Sequence, residues 1–318
     1  NCAPGPRQCG GPGNNAARSG RATQRLAALS LCTPPMAPRP SISIRRPVPG
    51  EAPATAALLR DAVPASVRPL TIFGQSGVAE WIAWSIRSGS GPSAFLVATA
   101  GDALCAAAEW RHHGCALFLN RIAVAPAYRQ RGVATRLLQA GIDAFEAGAH
   151  VALDVFRGAR VARRWYKRLG FRKSGRRKWI VGPLEAGTNL SSRPAPHDSV
   201  PNVRLRNRAD AQAQHERFGF STLRFVVEEA SGAADHEVGR LGTDYFRITS
   251  PETVRTRPLR AALLALNPYR SLLYLSPVSS PKVPPRLREQ AGCRADSLRL
   301  TAPRPALDDA LSTSSSDA

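Results

Sequence analysis

The stretch with the clearest chemical potential runs from Leu117 to Leu138, where an apolar strand leads through a proline turn into a basic loop and a helix. Backbone N–H groups at a helix start lack partners within the helix, and the helix dipole adds partial positive charge there. Gly132 has no Cβ, so the backbone can come close to a ligand. Arg129 and Arg131 add charge at its sides. These features are typical of a pyrophosphate site.

Two other phosphate-binding patterns can be compared with this loop. A P-loop requires G-x-x-x-x-G-K-[ST], and a dinucleotide-binding turn requires G-x-G-x-x-G. Neither pattern is present. The loop therefore indicates a different class of nucleotide-like ligand.

The loop and the strand before it resemble the GNAT superfamily of N-acetyltransferases. The family hallmark R/Q-x-x-G-x-G/A is matched at every defined position, and Ile122-Ala123-Val124-Ala125-Pro126 looks like the family's strand and turn. The resemblance implies that the backbone of Ile122, Ala123 and Val124 pairs with the pantetheine arm of acetyl-CoA. A backbone N–H near Val124 would polarise the thioester carbonyl. The pyrophosphate would lie on the N–H groups of Arg129, Gln130, Arg131, Gly132, Val133 and Ala134.

A second match follows, with the family pattern L-x-V-x-x-x-N-x-x-A-x-x-x-Y-x-x-x-G-F beginning at Leu153. All spacings hold, but Ala159 stands where the family often has Asn. Contacts made by that Asn are therefore not expected here. Tyr166 falls at the family's general-acid position, and an unperturbed phenol with a pKa of about 10 is protonated at neutral pH.

Candidates for the base that deprotonates the incoming amine are few. Glu109, late in a predicted strand, is the best acidic candidate, although a surface carboxylate is the simpler interpretation. Asn120 can orient a water molecule but cannot itself be the base. His112 and His113 lie in a predicted hairpin turn, and no Cys/His cluster has metal-site spacing, so no metal site is predicted.

The elements that must position these residues can be read from periodicity. Residues 41–183 predict the order β, α, α, β, β, β, α, β, α, β, with the chemically interesting loop between a strand and a helix. This order is typical of an α/β class fold, a mixed sheet with helices packed on it. It agrees with the GNAT fold that the resemblance implies.

The chain as a whole divides into five predicted parts. Residues 1–40 are predicted to be a disordered extension; a translation start at Met36, which would place residues 1–35 upstream of it, and a transit peptide are two interpretations of this segment. Residues 41–185 form the predicted acyltransferase domain and 186–202 a linker. Residues 203–277 are uncertain and partly ordered, and 278–318 are predicted to be a disordered tail.

A repeated pattern gives a different interpretation of the second half. Residues 214–220 echo 165–171, so a second, degenerate acyltransferase half is an alternative to a poorly selected extension. No second R-x-x-G-x-G/A loop follows residue 186. Such a copy would not bind CoA.

The formal charge of +21 indicates a polyanionic partner, although 40 of the 44 basic residues are Arg, a skew that a GC-rich genome also produces. Eleven basic residues and no acid lie between Arg157 and Lys178. The six cysteines show no C-x-x-C pair, which favours a reducing, cytoplasmic location. No apolar window approaches a membrane span, so no membrane association is predicted.

The function predicted from the sequence is acetyl transfer from acetyl-CoA to a primary amine, on a small molecule or a protein, by direct attack. Two alternatives remain on the same fold. One is a basic nucleic-acid-binding protein, and the other is a CoA-binding sensor without turnover. The acceptor and the oligomeric state cannot be read from the residues.

Overall fold

A computed structural model of the chain describes residues 41–89, 93–114, 116–145, 148–184, 200–230, 232–267, 269–277 and 292–315. The predicted extension at residues 1–40 and most of the predicted linker lie outside these residues. The described part belongs to one compact unit, Pro40–Ala318.

The first half of the chain forms six strands and four helices, in the order predicted from the sequence. Their bounds are β1 Ile42–Arg45, α1 Ala52–Asp61, α2 Val78–Ser88, β2 Ala94–Ala100, β3 Ala103–His113, β4 Ala116–Val124, α3 Val133–Ala144, β5 His150–Phe156, α4 Arg160–Arg168 and β6 Arg172–Pro183.

The second half repeats this order in reduced form. Its elements are β7 Val203–Leu205, α5 Arg208–Phe218, β8 Phe220–Glu229, β9 Gly232–Leu241, β10 Tyr245–Ile248, α6 Pro251–Arg255, α7 Arg257–Leu266, β11 Ser271–Pro277, β12 Gly292–Pro303 and α8 Arg304–Ser315.

All twelve strands form one sheet, in the order β1-β2-β3-β4-β5-β12-β6-β11-β10-β9-β8-β7. If β7 to β12 are matched one by one with β1 to β6, the strand order read from one edge of the sheet is the same as the order read from the other edge. The parallel pair β4–β5 then matches the parallel pair β10–β11, and β6 and β12 are exchanged between the halves. The fold is therefore a duplicated unit, as the repeat interpretation proposed. The similarity between residues 214–220 and 165–171 does not follow this duplication, however. Residues 214–218 end α5, which precedes β8 and therefore corresponds to α1 and α2, whereas residues 165–168 end α4.

The C-terminal segment differs from the predicted disordered tail. β12 lies between β5 and β6 and forms hydrogen-bonded ladders with both. Leu298, Leu300 and Ala302 alternate along it and are buried, as are Leu307 and Leu311 on α8. The prediction was wrong because it relied on composition, in which the charged and polar residues of this segment dominate. The apolar residues of β12 occupy every second position, and this alternation places their side chains on one face of the strand.

Helices cover both faces of the sheet around the predicted site. On one face α3, α4 and α8 bury a core that includes Leu137, Leu138 and Tyr166. On the other face α1 and α2 bury a second core. α3 approaches β3 so closely that a Cβ at Gly141 would lie within 2.5 Å of the Trp110 ring. This close contact holds the C-terminal part of α3 against β3, one of the strands beside the site.

Candidate active site

The strands β4 and β5 pair in parallel only at their beginnings, from Ala116–His150 to Leu119–Leu153. Beyond these residues β4 continues to pair with β3 and β5 with β12, so the facing edges open while the outer edges stay bonded. A bulge at Asn120, between the pairs Glu109–Arg121 and Trp110–Leu119, marks the point of divergence. The result is a V-shaped gap, and the backbone groups along its two sides lie outside these ladders.

Two of the three predicted strand residues present their polar backbone groups to this gap. The N–H of Ala125 donates to the Cys105 carbonyl at 2.8 Å, so Ala125 points toward β3. Because backbone groups alternate along a strand, Ala123 also points toward β3, whereas Ile122 and Val124 point away from it. The open edge of β4 therefore belongs to Ile122 and Val124.

The basic loop has the conformation that its glycine suggests. Gly132 has φ +70° and Gln130 has φ +61°, both in the left-handed region. The first hydrogen bond of α3 runs from the Arg136 N–H to the Gly132 carbonyl at 3.0 Å. The N–H of Arg129 donates to the Pro126 carbonyl at 3.3 Å, whereas the N–H groups from Gln130 to Thr135 find no acceptor among the residues that the structure describes. A cluster of free donors faces solvent at the mouth of the gap.

The two arginines of the loop have different surroundings. Arg129 is exposed, and its Nε donates to the Val124 carbonyl at 3.0 Å, so its side chain holds the end of β4. The guanidinium of Arg131 lies 5.6 Å from the centre of the Tyr128 ring and is also exposed. Arg131 is thus the loop side chain best placed to meet an incoming anion.

Glu109 is fully buried, contrary to the interpretation of a surface carboxylate. Its Oε1 accepts hydrogen bonds from Ser93 Oγ at 2.8 Å and from Arg111 at 2.6 and 2.9 Å. Its Oε2 accepts one from Asn120 Nδ2 at 2.6 Å. The sheet is covered on both faces at this point, which is why a polar strand residue here became buried.

These contacts decide the ionisation of Glu109. Burial alone raises the pKa of this carboxyl, but the charges of Arg111 and Arg121 and the hydrogen bonds outweigh burial and lower the pKa below its ordinary value. A carboxylate with a lowered pKa and occupied oxygens is a poor proton acceptor. The geometry therefore favours Glu109 as an anchor for its neighbours over its predicted role as the base.

Replacing Glu109 with Gln is expected to destabilise the protein by about 3–5 kcal/mol at neutral pH, because it leaves buried guanidinium charge uncompensated. A lowered pKa in the folded state stabilises the protein above the unfolded value of 4.5, and this stabilisation is lost as the pH falls below it. Urea unfolding at several pH values measures this. The difference between wild type and E109Q should shrink below pH 4.5; a difference independent of pH would contradict the assignment.

Tyr166 lies on α4, on the sheet face that carries α3. Its ring centre is 4.6 Å from that of Trp165 and 5.4 Å from that of Phe171. Burial raises the pKa of its phenol above the usual value, so the hydroxyl stays protonated across the physiological range. A buried, protonated phenol can donate a proton but cannot act as a base.

On the opposite face, below the turns that join α1 and α2, lies a cavity of about 430 Å³. We call it the arginine cavity, because five arginines line it together with Asn120 and Asp154 at the divergence of β4 and β5. The five are Arg111, Arg121, Arg177, Arg247 and Arg299.

A second cavity, of about 730 Å³, adjoins the first and shares Ile72, Arg111 and Arg247 with it. Its lining includes the aromatic side chains of Trp81, Trp84, Phe218 and Phe220.

These five arginines were not predicted from the sequence as site residues. They come from β3, β4, β6, β10 and β12, so no spacing in the chain connects them. One signal was available: Arg247 and Arg299 each stand between apolar residues on a strand, in Phe246-Arg247-Ile248 and Leu298-Arg299-Leu300. An arginine on the inner face of a covered strand usually has a ligand or a carboxylate to meet.

The second half lacks an equivalent of the basic loop. At the position that corresponds to Gly132, before helix α7, stands Thr256 with φ −65°. Pro258 follows inside the first turn and has no N–H to offer. The sequence-based expectation that a second copy would not bind CoA thus has a physical basis in these two residues.

The described residues contain no group of three or more His, Cys, Asp or Glu side chains arranged to hold a metal ion. Within the same ranges, no helix is long and apolar enough to cross a membrane.

Comparisons with known proteins agree with this geometry. Residues 91–173 match the family described as the acetyltransferase (GNAT) domain. Among curated proteins no sequence matches the chain significantly.

Solved structures resemble the chain over most of its length. A putative acetyltransferase from Pyrococcus horikoshii is 14% identical with a TM-score of 0.51, covering 84% of this chain and 90% of its own. A tandem GNAT protein from the clavulanic acid biosynthesis pathway is 13% identical with a TM-score of 0.52, covering 83% and 98%. A GCN5-related N-acetyltransferase from Sphaerobacter thermophilus is 18% identical with a TM-score of 0.49, covering 82% and 95%. At these identities the likeness concerns the fold, and it extends over both halves.

Proposed function

We propose that this chain, which has the GNAT fold and carries a GNAT acetyltransferase domain in its first half, transfers an acetyl group from acetyl-CoA to a primary amine. The observation that carries the proposal is the meeting of two features: the open edge of β4 at Ile122 and Val124, and the free N–H groups of the loop that ends at Gly132. An extended pantetheine arm fits the first, and a pyrophosphate fits the second.

The basic loop and the gap between β4 and β5 bind different parts of acetyl-CoA. N–H groups from Gln130 to Ala134 hold the pyrophosphate, with the side chain of Arg131 beside it. Ile122 and Val124 pair with the pantetheine arm, so that it replaces the missing part of β5. Val124 and Asn120 are four residues apart, roughly 13 Å along an extended strand. The thioester is thereby brought toward the divergence point, where the arginine cavity begins.

The reaction proposed is direct attack. The amine nitrogen bonds to the thioester carbonyl carbon, a strand N–H stabilises the oxyanion, and the C–S bond breaks as the carbonyl re-forms. Tyr166 donates its proton to the departing thiolate. The nitrogen that attacked loses one proton to water, and water returns a proton to the Tyr166 phenolate, so that the products are the amide and the free thiol of CoA. For Glu109 we propose an electrostatic and positioning role, through Arg111 and Asn120, in place of the predicted base.

Replacing Tyr166 with Phe is expected to lower kcat by about a hundredfold or more while leaving the affinity for acetyl-CoA unchanged, since only proton donation is lost. Release of free thiol in the presence of an amine panel measures turnover, and calorimetry measures affinity. Tyr269, which is 94% exposed, provides the matched control, and Y269F should behave as wild type. If wild type binds acetyl-CoA but releases no thiol with any amine, the sensor alternative holds instead.

A further inference from the structure

The arginine cavity carries more positive charge than the protein neutralises. Arg111 is paired with Glu109 at 2.6 Å. Arg299 is paired with Asp154 through two hydrogen bonds, of 2.6 and 2.9 Å. Asp154, the carboxylate that lines the cavity, and Glu109, which is buried behind Arg111, are therefore already engaged.

The other three arginines of the cavity have no such partner. Within the described ranges, the side chains of Arg121, Arg177 and Arg247 form neither an ion pair nor a hydrogen bond. The guanidinium of Arg121 lies 4.4 Å from the centre of the Phe73 ring. The Nε atoms of Arg121 and Arg247 are buried without an acceptor in the same ranges. Buried donors without acceptors cost free energy unless a ligand supplies the acceptors.

The arginines also act on one another. Burial lowers the pKa of Arg247 to about 10, and repulsion from Arg111, Arg121 and Arg177 adds to this effect. Burial likewise lowers the pKa of Arg121 to about 10. Both groups remain charged at neutral pH, so the cavity keeps a concentrated positive field.

We infer that the arginine cavity binds an amine acceptor that carries carboxylate or phosphate groups. This inference rests on the proposed function, because it names the acceptor class of the same site. Guanidinium groups bind carboxylate and phosphate through paired, charge-assisted hydrogen bonds. The volume of about 430 Å³ is that of a small-molecule site, so the acceptor is a compact anionic amine.

The two halves of the duplicated fold then have different tasks. The first half binds acetyl-CoA, and the second half contributes Arg247 from β10 and Arg299 from β12 to the wall that receives the acceptor. The second half, which has no loop of its own to bind the pyrophosphate, thus serves as part of the acceptor site.

The test uses the full chain and a binding readout that does not depend on turnover. Glutarate, phosphoethanolamine, ethanolamine and 1,4-diaminobutane are titrated calorimetrically at one fixed low salt concentration. Glutarate and phosphoethanolamine should bind, and comparing them distinguishes a carboxylate site from a phosphate site. Ethanolamine and the diamine should bind at least tenfold more weakly. Thiol release from acetyl-CoA is then measured with the three amines.

The variant R247M removes one unpaired charge at similar size. It should weaken binding of the anionic probes by about ten- to one-hundredfold. Because it relieves repulsion, its Tm without ligand should be equal to or above that of wild type, which separates lost binding from lost folding. R206M alters an exposed arginine outside the cavity and should match wild type.

The outcomes distinguish the inference from the proposed function. Tight, R247-dependent binding of an anionic probe supports the acceptor class even if acetyl-CoA is not turned over, in which case the proposed function fails alone. Turnover that prefers ethanolamine or the diamine, or anion binding unchanged in R247M, overturns the inference while the acetyltransferase activity stands.

Discussion

Replacing Gly132 with Asp is expected to raise the Kd for acetyl-CoA at least a hundredfold. The substitution puts a carboxylate among the free N–H groups where the pyrophosphate is proposed to bind. Two unit charges about 4 Å apart near a protein surface interact with about 4 kcal/mol, which exceeds the roughly 2.8 kcal/mol that a hundredfold change requires. Isothermal titration of acetyl-CoA into the full-length variant measures the effect.

The control for G132D is G132N, which has the same shape without the charge. Asn tolerates the left-handed conformation that Gly132 adopts at φ +70°, and a Cβ there meets no protein atom within 4 Å. G132N still places a side chain where the backbone is proposed to approach the ligand, so it should lose some affinity but clearly less than G132D, and both variants should melt at similar temperatures. Equal loss in the two variants would show that glycine itself, and not the anion site, is what the loop requires.

Ending the chain before β12 is expected to abolish cooperative folding. The truncation removes a strand that pairs with both β5 and β6 in the middle of the sheet, and with it buried residues such as Leu300 and Leu307. Two unpaired edges would then be left in the interior of the sheet, where unpaired backbone groups are costly. Circular dichroism during thermal unfolding measures this, and the truncated chain should show no sharp transition.

Point substitutions on α8 provide a milder form of the same test. Leu311 is 3% exposed, whereas the neighbouring Ser312 is exposed. L311D is expected to lower the free energy of unfolding by several kcal/mol, because it puts a charge in a core position, and S312D by well under 1 kcal/mol. A truncated chain that unfolds like wild type, with L311D equal to S312D, would mean that the C-terminal segment is a dispensable tail after all.

The first half could be predicted well from the sequence because its signals are local. The helix that begins at Val133 is predicted by the glycine before it and by the apolar pair Leu137 and Leu138, which is buried in the structure. The start of α1 is less easily read from the sequence: α1 begins at Ala52, and Thr55, a residue type common at helix N-caps, is buried inside it. Short apolar helices with several possible first residues leave that choice to tertiary packing.

The exchange of β6 and β12 could not be predicted in this way. The pairing of Trp179 with Ala295 joins residues far apart in the chain, and no local pattern encodes which edge a strand will join. The composition of β12, with its charged residues, favoured disorder. The alternation of Arg299 with its apolar neighbours, which point to the opposite face of the sheet, is a strand pattern that composition does not register.

The candidate site was predictable only where it consists of consecutive residues. The loop around Gly132 is such a segment, and its conformation follows from its sequence. The arginine cavity is assembled from five strands and both halves, so it appears only once the sheet order is known. Glu109 shows the same limit, since its burial depends on helices that cover it from outside its own strand.

Calorimetric titration of acetyl-CoA into the full chain tests the proposed cofactor site, and both halves must be present because β12 completes the sheet around the gap. Micromolar binding at one site per chain is expected, lost in G132D, weakened less in G132N and kept in R247M. A folded chain that does not bind acetyl-CoA, or that binds two molecules, would contradict this expectation: the first result would remove the proposed cofactor site, and the second would mean that the loop at Thr256 still functions.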